Sequence, residues 1–301
     1  MTEQHKTRII SKTIERMAAS SHLPGDLVTL LGQTALLQAE ADIGLALDLT
    51  GFDFSSPDSL ASPLCPADQL PLDPTHFKAL ADRILDLVLT PDPGMPEAMI
   101  EAAKAVIADI EAGTLDLETP LAEVLGRFAG NPDTPVLTAW EDRFPQTPAF
   151  LSFLVAAAAA PCLEAGAAGL AEAAGLVPDR INAKGACPVC GSPPFMLELR
   201  GKEGQRFGHC ACCRHTYRIR RIACPCCDSD DVDAQTYFTA DQEPGFRVET
   251  CSKCKTYIKT IDFRNLDREA FAPLNDLESL PLDILAEQEG YARTAPSVWQ
   301  I

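Results

Sequence analysis

The stretch HCACCRHTYRIRRIACPCC, His209 to Cys227, places six cysteines in nineteen residues. Four of them form pairs two residues apart, Cys210/Cys213 and Cys224/Cys227, and the spacing recurs at Cys187/Cys190 and Cys251/Cys254. Two intervening residues let the backbone turn so that both sulfurs face one ion while nearby N–H groups point back at them. Two such turns supply the four soft ligands of a tetrahedral site. Four turns therefore make two complete sites, with Cys187, Cys190, Cys210, Cys213, Cys224, Cys227, Cys251 and Cys254 as ligands and none left over.

The intervals suggest how the turns pair. Nineteen residues separate the first pair from the second, ten the second from the third, and 23 the third from the fourth. The longer intervals suit a hairpin returning to its own ion, and the short one suits a strand linking two modules. The expected groups are 187/190/210/213 and 224/227/251/254, with a cross-braced arrangement as the alternative. Each module is too small to fold on its own core, so the metal reads as structural. Iron and zinc share tetrahedral four-thiolate geometry, so the cofactor is Fe or Zn at two four-cysteine sites.

Other thiols and bases are weighed against that count. Cys212 and Cys226 read as small residues at the knuckle tips, or more sharply as thiols beside the ligands that can exchange with them. His209 and His215 read as surface groups or neighbours of the ligands. Cys65 and Cys162 are isolated and read as inert. The run Arg214, Arg218, Arg220, Arg221 either offsets metal–thiolate charge or forms a docking patch for an acidic partner.

Beyond this stretch, the chain has 301 residues, 46% of them apolar but only 6% aromatic, with a net charge of −18. That length exceeds one comfortable core. The charge opposes tight nucleic-acid binding. Residues 181–260, however, carry twelve Lys/Arg against nine Asp/Glu, and the remainder carries −21. Basic residues therefore sit where the cysteines sit, and two divalent ions on eight thiolates would leave that segment near −1.

Before residue 178 the periodicity is helical. Phe77, Leu80, Ala81, Ile84, Leu85 and Val88 share one face after the start signal Asp73–Pro74–Thr75. Met99, Ala103, Val106, Ile107 and Ile110 share a second face, between Pro96 and Gly113. Leu121, Val124, Leu125 and Phe128 make a third. Asp26 to Leu49 reads as one long helix with Leu27, Leu30, Leu31 and Leu45 inward. AFLSFLVAAAAAP gives about 12 apolar residues before Pro161, too few to span a bilayer. After residue 178, short alternating stretches (Phe195–Leu199, Tyr217–Ile219, Ile258–Ile261) read as strands. Pro281 opens a final short helix with Ile284 and Leu285 inward, capped by Gly290.

The segments CPVCGSPP, HCACC, RRIACPCC and VETCSKCKTYIKT, and the tail DLESLPLDILAEQEGYAR (Asp276–Arg293), resemble the FdhE-type formate dehydrogenase accessory proteins. The tail holds no metal ligand, so the likeness is more than two metal ribbons in a row. It is strong from Cys187 to Arg293 and compatible in pattern upstream, as in PGDLVTLLGQTALLQAE.

The resemblance implies a cytoplasmic, non-enzymatic assembly factor with iron in a rubredoxin-like setting. It would act on the catalytic subunit of a molybdenum- or tungsten-dependent formate dehydrogenase. The family's paired cysteines carry over onto the eight named above, and its C-terminal motif onto Asp283, Gly290, Tyr291 and Arg293. Tyr291 and Arg293 thereby join the four arginines as candidate partner-binding residues.

The expected fold is α+β: a helical domain (1–178), tandem rubredoxin-like or zinc-ribbon modules (179–222 and 223–263) and a C-terminal helical segment (264–301). No open metal position, nucleophile–base pair or phosphate loop points to an enzyme. The N-terminus has no signal-peptide pattern, and paired cysteines in a reduced cytoplasm signify metal, not disulfide. The rival readings are a rubredoxin-like electron carrier and a zinc-ribbon nucleic-acid binder; nucleic acid and membrane insertion are not expected.

Overall fold

The computed structural model describes residues 3–41, 43, 63–90, 94–177, 179–240 and 243–300. Two units are present: Met1–Leu47 with Ala67–Gly166 and Val298–Ile301, and Asp48–Pro66 with Ala167–Ser297.

The first unit is helical: α1 (Glu3–Ala18), α2 (Gly25–Glu40), α3 (Pro74–Leu89), α4 (Glu97–Glu111), α5 (Glu118–Phe128), α6 (Pro135–Arg143) and the first part of α7 (Phe150–Ala173). In α3 the six apolar residues predicted inward are the buried ones. Their burial contributes roughly 10 kcal/mol before chain entropy is counted. Asp73 starts that helix by accepting the backbone N–H groups of Thr75 (2.8 Å) and His76 (3.2 Å), leaving Pro74 where a missing donor costs nothing. Gly32 of α2 lets α1 approach closely, since a Cβ there would lie 2.8 Å from Ile14 Cγ1.

Several details differ from the sequence reading. α2 ends at Glu40, where Ala41 turns extended, rather than continuing toward Leu49; Leu45 lies outside the described residues. The buried face of α4 is Ala102, Ala103 and Val106, with Ile110 exposed. Helix α7 runs through Pro161 for 24 residues. By length and composition it could cross a membrane, but 83% of its most apolar window is buried within the protein.

The second unit is built on a sheet of seven strands among the described residues: β1 (Pro194–Arg200), β2 (Gln205–Cys210), β3 (Thr216–Arg218), β4 (Gln235–Phe238), β5 (Phe246–Cys251), β6 (Thr256–Ile261) and β7 (Ala292–Arg293). The order is β3-β2-β1-β6-β5-β4. Each half is an antiparallel meander, and the halves join by parallel pairing of β1 with β6, Met196 opposite Lys259 and Glu198 opposite Ile261. The modules read as separate ribbons thus share one sheet. β7 pairs with Thr256 and Tyr257 of β6, beyond the reach of β1.

α8 (Ala272–Glu278) and α9 (Leu280–Gln288) follow β6 in sequence. In α9 the inward residues are Leu282, Asp283 and Ala286, while Ile284 and Leu285 are exposed. This corrects the expected face. Asp283 sets it, because its carboxylate accepts from buried Tyr257 Oη (2.8 Å) and Lys259 Nζ (2.6 Å) on β6. Gly290 ends the helix at φ +82°, donating its N–H to Glu287 O.

Candidate metal centres

Four similar knuckles hold the paired cysteines. In three of them the backbone N–H four residues after the first cysteine returns to its carbonyl: Gly191 to Cys187 (2.9 Å), Asp228 to Cys224 (3.0 Å) and Lys255 to Cys251 (2.9 Å). The first cysteine N–H reaches the carbonyl five residues on, as Cys187 to Ser192, Cys210 to His215 and Cys224 to Ser229. This tight turn puts the residue after each second cysteine in the left-handed region: Gly191, Arg214, Asp228 and Lys255. A non-glycine residue there costs of order 1–2 kcal/mol. Only the first knuckle uses glycine, and a neighbour explains why: a Cβ on Gly191 would lie 2.7 Å from Pro63 Cγ.

The knuckles meet in the tandem grouping. Cys187, Cys190, Cys210 and Cys213 form one cluster and Cys224, Cys227, Cys251 and Cys254 the other, with all four sulfurs of each within 4.8 Å of one another. Sulfurs from opposing knuckles lie 3.8 Å apart (Cys187–Cys213), 3.3 Å (Cys190–Cys210), 3.6 Å (Cys224–Cys254) and 3.9 Å (Cys227–Cys251). A disulfide needs about 2.05 Å. Metal–sulfur bonds of about 2.3 Å in a tetrahedron separate sulfurs by about 3.8 Å, so these donors fit a tetrahedral thiophilic ion.

Electrostatics point the same way. Burial pushes the Cys187 and Cys213 thiols well up. Cys190 is instead pulled down by sulfur hydrogen bonds from Cys187 and Cys210. In the second cluster burial opposes ionisation of Cys254, but hydrogen bonds from Thr256 and Cys224 outweigh it and bring it to about 7. A cation lets the remaining thiols ionise, which makes binding release protons.

The two sites are locked together. Gly185, on the approach to the first knuckle, donates its N–H to Asp228 Oδ1 of the third knuckle (2.7 Å), while its carbonyl accepts from buried Tyr217 Oη (2.8 Å). A Cβ on Gly185 would fall 2.1 Å from Pro225 O, so no side chain fits. A segment missed from sequence also braces the first knuckle. Leu64 and Cys65 donate backbone N–H groups to Pro188 O (3.2 Å) and Val189 O (2.9 Å). The run of prolines near Cys65 was its only sequence signal.

The remaining candidates take varied places. His209 bridges Glu198 (3.0 Å) and Thr216 (3.2 Å) and joins neither cluster. Burial lowers the pKa of His215, whose ring lies parallel to Tyr217 at 6.3 Å. Arg218 donates to Asp179 O (3.2 Å) and Arg220 to Asp228 O (2.9 Å). Arg221 is exposed beside Ile222, and Arg214 is half-buried at its knuckle. Lys255 Nζ sits 5.7 Å from the Tyr291 ring, and Arg293 pairs with Asp276 and Asp283.

Cys212 and Cys226 occupy the same knuckle position, and each faces the same kind of pair: Cys212 faces Cys190 and Ser192, Cys226 faces Cys254 and Thr256. A hydroxyl two residues after the second cysteine of a knuckle was the readable sign of this pattern. Cys65 and Cys162 are buried singly, in different units.

The family described as FdhE, C-terminal domain, matches residues 209–299. A protein named FdhE homolog from Aquifex aeolicus is 35% identical over 113 residues, 36% of this chain and 40% of that protein. Protein FdhE from Escherichia coli is 33% identical over 132 residues, 42% of each chain. These alignments span about two fifths of the curated relatives' length. The crystal structure of the FdhE protein from Pseudomonas aeruginosa has the same fold, with a TM-score of 0.65 at 22% identity over 97% of this chain and 95% of that one. Residues 209–299 therefore match the FdhE C-terminal domain family, and nearly the whole chain shares its fold with an FdhE protein.

Proposed function

We propose that the protein is a metal-binding accessory factor for assembly of a formate dehydrogenase, docking on the enzyme's catalytic subunit in the cytoplasm. The observation that carries this reading is the closed donor set. Each cluster gathers four sulfurs, the full complement of a structural tetrahedral ion, and leaves no position for substrate. The fusion of both modules into one sheet argues for a rigid recognition surface. The match of residues 209–299 to the FdhE C-terminal domain and the resemblance of the C-terminal segment point to the client.

A surface beside the second centre suits a protein partner. A cleft of about 200 Å³ there is lined by Arg221, Ile222, Val232, Tyr237 and Arg247, together with Cys224 and Cys251. Ile222, Val232 and Tyr237 are more than half exposed. Apolar side chains interleaved with arginine are the usual composition of a protein-binding hot spot. Partial exposure of the second centre also favours one rival, an electron carrier, should iron be the metal; reversible one-electron reduction with rapid exchange would support it.

Complementation provides the test. Host cells lacking the chain are expected to lose formate oxidation, measured with an artificial electron acceptor. The intact gene should restore it, and a Cys224→Ser/Cys227→Ser variant should not. Full formate oxidation without the chain would overturn the proposal.

A further inference from the structure

The two clusters share a knuckle design but differ in access to solvent. All four ligand cysteines of the first are at most 4% exposed. In the second, Cys224 and Cys251 are buried, Cys254 is half-buried and Cys227 is exposed. The fifth thiols differ in the same sense: Cys212 is buried and Cys226 is exposed. Cys226 is placed to enter, because its backbone N–H already reaches Cys224 Sγ (3.4 Å) and its thiol faces Cys254 and Thr256.

We propose that the second four-cysteine site exchanges its metal with external thiol or chelating ligands while the first retains it, and that Cys226 is the entering ligand that opens the second site. This rests on the reading that both clusters hold metal, and it does not depend on the identity of the client.

The physical ground is ligand access. Replacing a thiolate requires an incoming donor at the ion, and every path to the first cluster needs local opening of the sheet. At the second, Cys227 and Cys254 meet solvent directly. Cys226 takes the place of Cys254 as a sulfur–metal bond forms to the one and breaks from the other, and the proton of the entering thiol passes to the departing sulfur. Charge and ligand number are conserved throughout. The departed Cys254 stays beside Thr256 Oγ1 (3.0 Å), and the exposed Cys226 now at the ion is the ligand that an outside donor replaces.

The test uses the full chain loaded anaerobically with two equivalents of Zn(II) and challenged with excess 4-(2-pyridylazo)resorcinol. Release should occur in two phases of one equivalent each, with rates at least ~10-fold apart. Cys224→Ser/Cys251→Ser, which leaves the second site too few sulfurs even with Cys226, should bind one equivalent and show only the slow phase. Cys226→Ser should load both equivalents and slow the fast phase several-fold, whereas Cys212→Ser should leave that phase unchanged. Release of both equivalents at one rate, or a fast phase surviving in Cys224→Ser/Cys251→Ser, would overturn the asymmetry. An unaltered fast phase in Cys226→Ser would overturn the role of that thiol. A chain that loads no metal would overturn both this proposal and the metal reading beneath it.

Discussion

Cys210→Ser is expected to leave the chain with one metal equivalent instead of two and to loosen β1, β2 and β3. Cys210 is fully buried at the end of β2, where its backbone also anchors the second knuckle through His215. Serine offers a harder donor that ionises poorly, so the first site loses a ligand it cannot replace. Structural zinc in small domains contributes about 10–16 kcal/mol, more than the apolar core of one module provides. Because β1 pairs with β6, the loss should spread into the second half of the sheet. Metal analysis with hydrogen exchange checks this: amides of β1–β3 should lose protection by several orders of magnitude. Cys227→Ser, at an exposed position of the second cluster, should also cost one equivalent, with the loss of protection greatest in β4–β6. Retention of two equivalents by Cys210→Ser would contradict the account.

The second large effect is expected at Lys259. Its ammonium group is buried and held by Asp276 Oδ1 (2.9 Å), Asp283 Oδ2 (2.6 Å) and Asp276 O (2.5 Å). Arg293 completes the network against both carboxylates. Replacing lysine by methionine keeps the length but leaves two buried carboxylates sharing one arginine. Removing one partner from such a buried pair costs about 3–5 kcal/mol. Urea unfolding of the metal-loaded chain should show a loss of that size, and adding Asp276→Asn to Lys259→Met should recover part of it.

The acid side of the profile follows from Asp276. Burial alone would raise its carboxyl, but the charges of Lys259 and Arg293 outweigh burial and hold it below the usual range. A carboxyl depressed in the folded state stabilises above its unfolded value near 4, and that contribution fades as pH falls through the folded one.

How much of this was legible in the sequence depended on the range of the forces involved. The cysteine grouping was legible because hairpin length limits which knuckles meet. Helix α3 was legible because six inward residues and an Asp cap agree locally. The fused sheet was not, since β1 and β6 pair across some sixty residues with a whole module between them, and alternation inside a strand does not name its neighbour. The same sheet hid Lys259. A lysine in TYIKTI reads as a solvent-facing position, yet α8 and α9 cover that face and supply its counter-ions.

Ile284 and Leu285 misled for the matching reason. Apolar character predicted them inward, but the ion pair of Asp283 with Lys259 decided which face of α9 is buried. Ala149–Leu176 reads as one or two Ala-rich helices, and it forms one: α7 runs through Pro161 because the residues around it are alanine and leucine, which favour helix and bury well. At the candidate metal centres the eight clustered cysteines were visible, whereas the unequal exposure of the two clusters was not, because burial is a property of the assembled sheet.

The most direct measurement is anaerobic affinity capture of the intact chain from cells making formate dehydrogenase, with mass spectrometry of what it retains. The account expects the catalytic subunit to be recovered with the wild-type chain and to be lost with Cys224→Ser/Cys227→Ser. A chain that retains no formate dehydrogenase subunit under those conditions would contradict it.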